Sequence, residues 1–438
     1  MNLAADRTDD HLHDGMGFIT QHIALTNEFE ASVQAVAPAA AVPYWDYTYD
    51  EALLHWDARD QRYRHGDAHE KPVDEIWRSA LWRGDVFGNA SGTSHTIESG
   101  RWAYMAVPRD RNATAKNAYG YLRAPWNNNK SPWITRVHRM CGESLQRSGG
   151  DAERWPSCAS HYNLTFNAEY GSWYDYVWAA PYRPHGPVHL NIGGYGNCES
   201  AIESLRGLDG VDDYVLEEFK VGAFKYVKDA WRYKLVEAPK YCSDDTPQEA
   251  CTMVCGFDPA DEDASAYAWN YLSVFLGDFV HGITNRTTQL QIVQRLICDT
   301  SFVLGEQAES ASPLDPSFWP VHPTMDRLLQ YKRLAKPFVN GTWARPHANP
   351  DPMAPDATQY CEYRKYGCSG HHPWDITASK ARALNETTGH FEERWLTNGE
   401  LFHIMNPNEY YMHYVYDNFE WSHCDAEGHR FPRLEWAQ

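Results

Sequence analysis

The chain has 438 residues, and its formal charge of −20 at pH 7 argues against nucleic acid or an anionic membrane surface as a partner. Aromatic residues are frequent, with 18 Trp, 27 Tyr and 16 Phe, so we expect a core built on large flat side chains. No stretch of about 20 apolar residues occurs, and the sequence therefore predicts no membrane-spanning helix.

The first predicted helix carries a histidine on its apolar face. Phe18, His22, Leu25 and Phe29 recur every three or four residues, and Pro38 ends the pattern. This spacing places His22 in the middle of the face that packs inward.

Two features flank this helix. His13 lies nine residues before His22, in a glycine-containing turn that allows the chain to fold back onto the helix start. After the helix comes the aromatic segment 43–47, in which Asp46 has two open interpretations. Its carboxylate either orients a histidine by accepting the ring N–H, or caps a turn.

The segment 181–194 contains a second pair of histidines. His185 and His189 are four residues apart, which places them on one face of a helix. Pro187 is tolerated only in a first helical turn, so we expect His185 at the N-terminus of this helix and His189 one turn inside it.

A third histidine segment spans residues 315–335. Asp315 is predicted to cap a helix that has Pro316 at its first position. His322 lies on the inward, apolar face of this helix. A lone histidine in such a place is more often a packed core residue than a metal ligand, and only the other histidine segments favour the ligand interpretation.

The cysteines are dispersed after residue 140 without a C-x-x-C pair, which favours disulfides over a zinc site. Cys361, Cys368 and Cys424 predict a tail that is stapled to the core. Sequons favour a glycosylated protein that is secreted or vacuolar; they stand at Asn89, Asn112, Asn163, Asn285, Asn340 and Asn385. The first ten residues lack the apolar run of a signal peptide, so we expect a further segment upstream.

Taken together, the histidine segments predict a metal centre. No cysteine or carboxylate is interleaved at ligand spacing, and neutral imidazole is a good ligand for copper, zinc, iron and nickel. A set of this size suggests two metal ions. The candidate ligands are His13, His22, His185, His189 and His322.

These motifs resemble the type 3 copper proteins, the family of tyrosinases, catechol oxidases and haemocyanins. The stretch DPSFWPVHPTMD at 315–326 is similar to the family's second copper signature. HGPVHLNIGG is similar to the segment that opens the copper B site, and HDGMGFITQH, followed by PYWDY, resembles the copper A segment.

The resemblance implies a mainly α fold, in which a four-helix bundle holds two copper ions among long irregular, disulfide-stapled loops. It implies a dicopper core at 1–335 with a long insertion at 195–314, and a C-terminal extension at 336–438 that packs on the core. Copper A would take His13 and His22, while copper B would take His185, His189 and His322. The third copper A ligand is not matched, and by the family's spacing it would fall near or before Met1.

Two positions depart from the family's pattern. Gly186 stands where members that act on monophenols often have Asn, and Val321 stands where a second histidine is common. These departures favour catechol oxidation over monophenol hydroxylation. Asp326 is expected to be structural, either paired with Arg327 or capping its helix, rather than catalytic.

The function implied by the resemblance is oxidation of small phenols to o-quinones with dioxygen, with o-diphenols as the main substrates and monophenols as a second class. Two alternatives stay open: a haemocyanin-like oxygen carrier, and a copper-A-deficient relative that is not an enzyme. The moderate length and the lack of repeated units favour an enzyme.

Overall fold

The computed structural model describes residues 1–7, 10–54, 56–57, 62–63, 76–77, 79–90, 92–142, 155–343 and 369–434. Helices dominate these ranges, which confirms the predicted mainly α fold class. None of the helices described combines the length and the apolar character that a membrane crossing requires.

The helices follow one another as α1 (Phe18–Gln34), α2 (Tyr47–Leu54), α3 (Cys158–Phe166), α4 (Trp173–Ala179), α5 (Gly186–Gly193), α6 (Glu199–Glu203), α7 (Asp213–Arg232), α8 (Glu262–Leu276), α9 (Arg286–Val293), α10 (Phe318–Ala335), α11 (Asn398–Ile404) and α12 (Ser422–Asp425). Short 3-10 turns occur at Ala80–Trp82, Ala168–Tyr170, Gln248–Ala250, Asp278–Val280, Glu306–Ala308 and Ser312–Leu314. π-Helical turns occur at Pro181–His185 and Gln294–Cys298.

The strands pair two by two and antiparallel: β1 (Trp56–Asp57) with β2 (Arg62–Tyr63), β3 (Tyr195–Gly196) with β6 (Val303–Leu304), β4 (Val236–Glu237) with β5 (Val254–Cys255), and β7 (Ala381–Asn385) with β8 (His390–Arg394). The β3–β6 pair positions the site, because Tyr195 lies opposite Leu304. It thereby brings the exit of α5 beside the loop that leads to α10.

Helices α1 and α10 pack against each other in one buried cluster. From α1 it takes Phe18, Ile19 and Ile23, and from α10 it takes Met325 and Leu328. Burying one such side chain stabilises the fold by about 1.5–3 kcal/mol. Neither helix has a side-chain cap at its N-terminus, so apolar burial rather than capping holds this pair of helices in place.

A second buried cluster is built largely by the segment 195–314. Helices α7, α8 and α9 contribute Phe219, Leu272 and Ile292, which pack with Trp126 and Met140 from outside the segment. Because this cluster is continuous with residues 115–141, the segment is an integral layer beside the α1–α10 pair rather than a peripheral loop.

The start of α10 lies later than predicted. The α-helix begins at Phe318 with Ser317 in the cap position, two residues after Asp315. Its carboxylate accepts the Ser317 N–H at 2.9 Å and forms a wholly buried ion pair with Arg136, with Nε–Oδ2 at 2.7 Å. Asp315 thus keeps the hydrogen bond to a backbone N–H that a cap makes, while Arg136, 179 positions away in sequence, adds an ion pair that the sequence did not predict.

The tail is joined to the core by a disulfide between Cys158, at the start of α3, and Cys424 in α12. Other disulfides in the described ranges join Cys141 to Cys198, Cys242 to Cys251 and Cys255 to Cys298. The prediction of disulfides is thus confirmed, whereas Cys361 and Cys368 lie outside the described residues.

The tail also packs on the start of α1. The His371 ring donates its Nε2–H to the Asp10 carbonyl at 2.5 Å, and its Nδ1 accepts the Gly17 N–H at 3.2 Å. A Cβ atom at Gly17 would lie 2.0 Å from the carbonyl oxygen of Gly370. The tail backbone therefore approaches α1 so closely that position 17 has no room for a side chain.

Replacing Gly17 by Ala is expected to destabilise the protein by about 1–3 kcal/mol, because backbone must move to relieve the overlap. Gly282→Ala is the matched control, since a Cβ there meets nothing within 4 Å. Urea unfolding of both variants measures the difference. Equal free energies of unfolding for the two variants would show that the tail does not pack on α1 as described.

Candidate metal centre

The first part of the site is a pair of equivalent Phe-x-x-x-His turns. His22 follows Phe18 on α1, and His322 follows Phe318 on α10. In each turn the histidine Nδ1 donates to the phenylalanine carbonyl four residues earlier, at 2.7 Å on α1 and 3.0 Å on α10. The two imidazoles stack with ring centroids 4.9 Å apart and planes within 6°.

The second part of the site comes from the start of α5. His185 occupies the N-cap position and His189 lies one turn inside, as the spacing around Pro187 predicted. The Nδ1 of His189 donates to the Gln307 carbonyl at 3.1 Å. Its Nε2 lies 2.9 Å from the Nε2 of His185, so one of these two nitrogens carries a proton and donates it to the other.

The exit of α5 is tight and contains two glycines. Gly194 has φ +64, the left-handed region that favours glycine. A Cβ at Gly193 would lie 2.4 Å from the backbone nitrogen of Ala308. This close approach holds the Gln307 carbonyl against His189.

The third part is the loop before α1. It folds back so that the His13 ring centroid lies 5.0 Å from that of His22. The Nδ1 of His13 lies 3.0 Å from Oδ1 of Asp10. His11 points elsewhere, since its Nδ1 donates to the Ser369 carbonyl at 2.6 Å.

The structure thus brings all the candidate ligands into one chamber. The ring centroid of His322 lies 4.6 Å from that of His185 and 5.2 Å from that of His189. His185, His189 and His322 each offer one ring nitrogen, and these three atoms all lie within 4.8 Å of one another. Among the described residues, no group of three metal-binding side chains includes His13 and His22.

The protonation state of the rings suits metal binding. Burial, reinforced by His13, lowers the pKa of His22 to about 3 and that of His189 to about 4. Burial and the neighbouring imidazoles also hold the pKa values of His185 and His322 well below the ordinary value. All four rings are therefore neutral at physiological pH, which is the form that binds metal ions.

An orphaned nitrogen of His322 fits a metal ion. Among the described residues, the buried Nε2 of His322 has no hydrogen-bond partner, and the buried Nδ1 of His185 has none either. Leaving a buried polar atom unsatisfied costs about 1–3 kcal/mol. A metal ion bound to His322 Nε2 and to the two facing Nε2 atoms of His185 and His189 would remove this penalty at His322 and displace the shared proton.

Asp46 does not orient any of these histidines. Its carboxylate accepts the Thr48 hydroxyl at 2.6 Å and pairs with Arg327 at 3.0 Å. Of the two interpretations, the structure supports a turn at the start of α2, where the Tyr49 N–H donates to the Asp46 carbonyl.

Asp326 is structural, but its partner was predicted wrongly. Its Oδ2 accepts the hydroxyl groups of Tyr414 and Tyr416 from the tail, and Arg327 instead reaches Asp46. Burial raises the pKa of Asp326 to about 6. The two partners lie 88 and 90 positions away, a distance that helical spacing cannot encode.

Gly186 and Val321 are both packing positions. A Cβ at Gly186 would lie 2.5 Å from the Pro181 carbonyl oxygen in the π-helical turn. Val321 is wholly buried and packs with Trp45 and Ile192. Neither position offers a ligand atom to the site.

The site also contains residues that sequence reasoning missed, namely Asp10 and His371. Asp10 stands three residues before His13 in an acidic run, a pattern typical of a solvated loop. His371 belongs to the tail, and nothing in its local sequence indicates that it packs against residues 10–17. The only available signal was the short spacing between Asp10 and His13.

The fold and the site together define a helical protein with a cluster of histidines that could hold a metal ion. Residues 1–207 match the family model described as the common central domain of tyrosinase. This match supports the resemblance to the type 3 copper family that the motifs suggested, and members of that family bind copper. The match includes His13, His22, His185 and His189, whereas His322 lies beyond it. Comparison with curated proteins and with solved structures found no significant match.

Proposed function

We propose that this protein is a dicopper oxidoreductase that oxidises o-diphenols to o-quinones with dioxygen. The observation that carries the proposal is the convergence of His185, His189 and His322 opposite His13 and His22 in one chamber. His185, His189 and His322 would hold copper B. His13 and His22 would hold copper A, together with a ligand that the described residues do not supply.

Copper bound there would supply the electron exchange between a diphenol and dioxygen, in which two diphenols give two o-quinones and one dioxygen gives two waters. The protein's part is to hold neutral imidazoles in fixed tautomers. The carbonyls of Phe18, Phe318 and Gln307 do this by accepting Nδ1–H, which leaves each Nε2 free for metal.

Access to the site supports an enzyme. The His13 side chain keeps 33% of its exposure and His189 is half-buried, whereas His185 and His322 are buried. One edge of the chamber is therefore open to small molecules. The ring centroid of Phe18 lies 4.4 Å from that of His22, and the ring centroid of Phe318 lies 4.0 Å from that of His322. Both phenylalanines add an apolar lining to the site.

The same site favours diphenols over monophenols. Asparagine at position 186 has no room, because even a Cβ would overlap the Pro181 carbonyl. The site therefore lacks the amide that many family members use at this position when a monophenol gives up its proton. Oxidation of an o-diphenol does not depend on that amide.

Copper reconstitution tests this function. Chain supplied with copper is expected to bind two ions, to develop an absorption band near the violet edge on oxygenation, and to consume dioxygen when catechol is added. A band without catechol turnover would identify an oxygen carrier. One copper per chain with neither band nor turnover would identify a relative that lacks copper A.

A further inference from the structure

The carboxylate of Asp10 makes an unusual set of contacts with the His13 loop. Its Oδ1 accepts the backbone N–H groups of Leu12 and His13, at 3.1 and 3.0 Å, and the His13 Nδ1–H at 3.0 Å. Its side chain is only 2% exposed. One oxygen atom therefore fixes both the backbone and the ring of a candidate ligand.

The other oxygen of Asp10 is held by α7. Oδ2 lies 3.1 Å from Lys228 Nζ and 3.2 Å from Arg232 Nη2. Asp14 pairs with the same two cations, at 2.7 and 3.1 Å, and Asp229 lies 3.8 Å from Arg232, so three carboxylates surround the two cations. The ion pairs with Lys228 and Arg232 stabilise the charged form of the Asp10 carboxylate.

His13 differs in this respect from the other candidate ligands. The Nδ1 atoms of His22, His189 and His322 all donate to backbone carbonyls, which are neutral acceptors. A charged acceptor forms a stronger hydrogen bond and makes the imidazole a better electron donor to a metal.

We propose that Asp10 is a positioning residue for the copper A side of the site. It orients the His13 ring and fixes its tautomer, so that Nε2 carries the lone pair for the metal. The orientation depends on Lys228 and Arg232 and therefore on the segment 195–314. This inference rests on the proposed function, because it assigns His13 to a copper ion.

The test compares Asp10→Asn with Asp14→Asn. Both changes remove one negative charge from the same cluster, but only the first removes the charged partner of His13. Copper content is measured after dialysis against chelators of graded strength, and the copper reduction potential and the thermal unfolding of the metal-free proteins are recorded alongside.

We expect Asp10→Asn to lower the affinity for one of the two copper ions by about 10–100-fold and to shift the copper reduction potential. Asp14→Asn should leave the affinity and the potential unchanged. If Asp10→Asn fails to fold, adding Lys228→Met restores the charge balance, and Lys228→Met alone becomes its control.

Equal copper affinities in the Asp10→Asn variant and its control would overturn the inference and leave the proposed function intact. A wild-type chain that binds no copper would overturn both. A wild-type chain that binds copper and oxidises catechol, with Asp10→Asn alone impaired in one copper, would support both.

Discussion

Replacing His322 by Ala is expected to abolish the proposed diphenol oxidase activity while the chain still folds. His322 is the imidazole that contacts both halves of the site, with ring centroids 4.9 Å from His22 and 4.6 Å from His185. Its removal leaves the copper B group with two imidazoles. A catalytic metal contributes several kcal/mol to the transition state, so the rate should fall by at least about 10³-fold.

The metal-free variant should remain folded, because the one hydrogen bond it loses in the described structure, from Nδ1 to the Phe318 carbonyl, contributes only about 0.5–1.5 kcal/mol. Dioxygen uptake with catechol measures the activity, and metal analysis measures the copper retained. The control is His390→Ala, which removes an exposed histidine at the start of β8. The expected loss is at least about 10³-fold. His322 would be excluded as a ligand if His322→Ala kept more than about a tenth of the wild-type activity.

The second large effect is expected at Asp315. Asp315→Asn should lower the free energy of unfolding by about 3–5 kcal/mol, because it leaves the Arg136 charge buried without its partner. Both side chains of the pair have zero exposure, and the other hydrogen bonds of Arg136 within the described residues go to neutral acceptors such as the Gly88 carbonyl at 2.6 Å.

The effect should depend on pH. Burial alone would raise the pKa of Asp315, but Arg136 and the hydrogen bonds from Ser317 outweigh it and hold the pKa below its usual value. The stability that this carboxylate contributes is therefore present above the ordinary aspartate pKa and is lost as the pH falls through the lower folded value. The gap between wild type and variant should shrink in acid.

Denaturant unfolding across this pH range provides the measurement. Asp85→Asn is the matched control, because its pair with Arg83 is exposed on both sides and such pairs contribute little. A loss at Asp315 no larger than the loss at Asp85 would show that the buried pair does not hold the start of α10.

The parts of the site that sequence predicted are those set by local spacing. His22 and His322 follow from helical periodicity, since each must share a face with the phenylalanine four residues before it. His185 at the start of α5 follows from Pro187, because proline tolerates only the first turn.

The parts that sequence did not predict depend on contacts between distant segments. Asp315 has the side chain of a helix cap, yet a buried guanidinium engages it. Arg327 is adjacent to Asp326 in sequence, but neighbouring residues point to different sides of a helix, and Arg327 reaches Asp46 instead. The role of Asp10 required knowledge of where α7 lies.

The disulfide between Cys158 and Cys424 closes a covalent loop over 266 positions of sequence. A protease that nicks the backbone once anywhere inside this loop leaves two fragments that remain one molecule. The tail could then leave the core only after a reductant had opened the sulfur bridge, and that bridge is buried at both ends. A single proteolytic cleavage within this loop would thus leave the C-terminal part attached to the core through the disulfide rather than through the backbone.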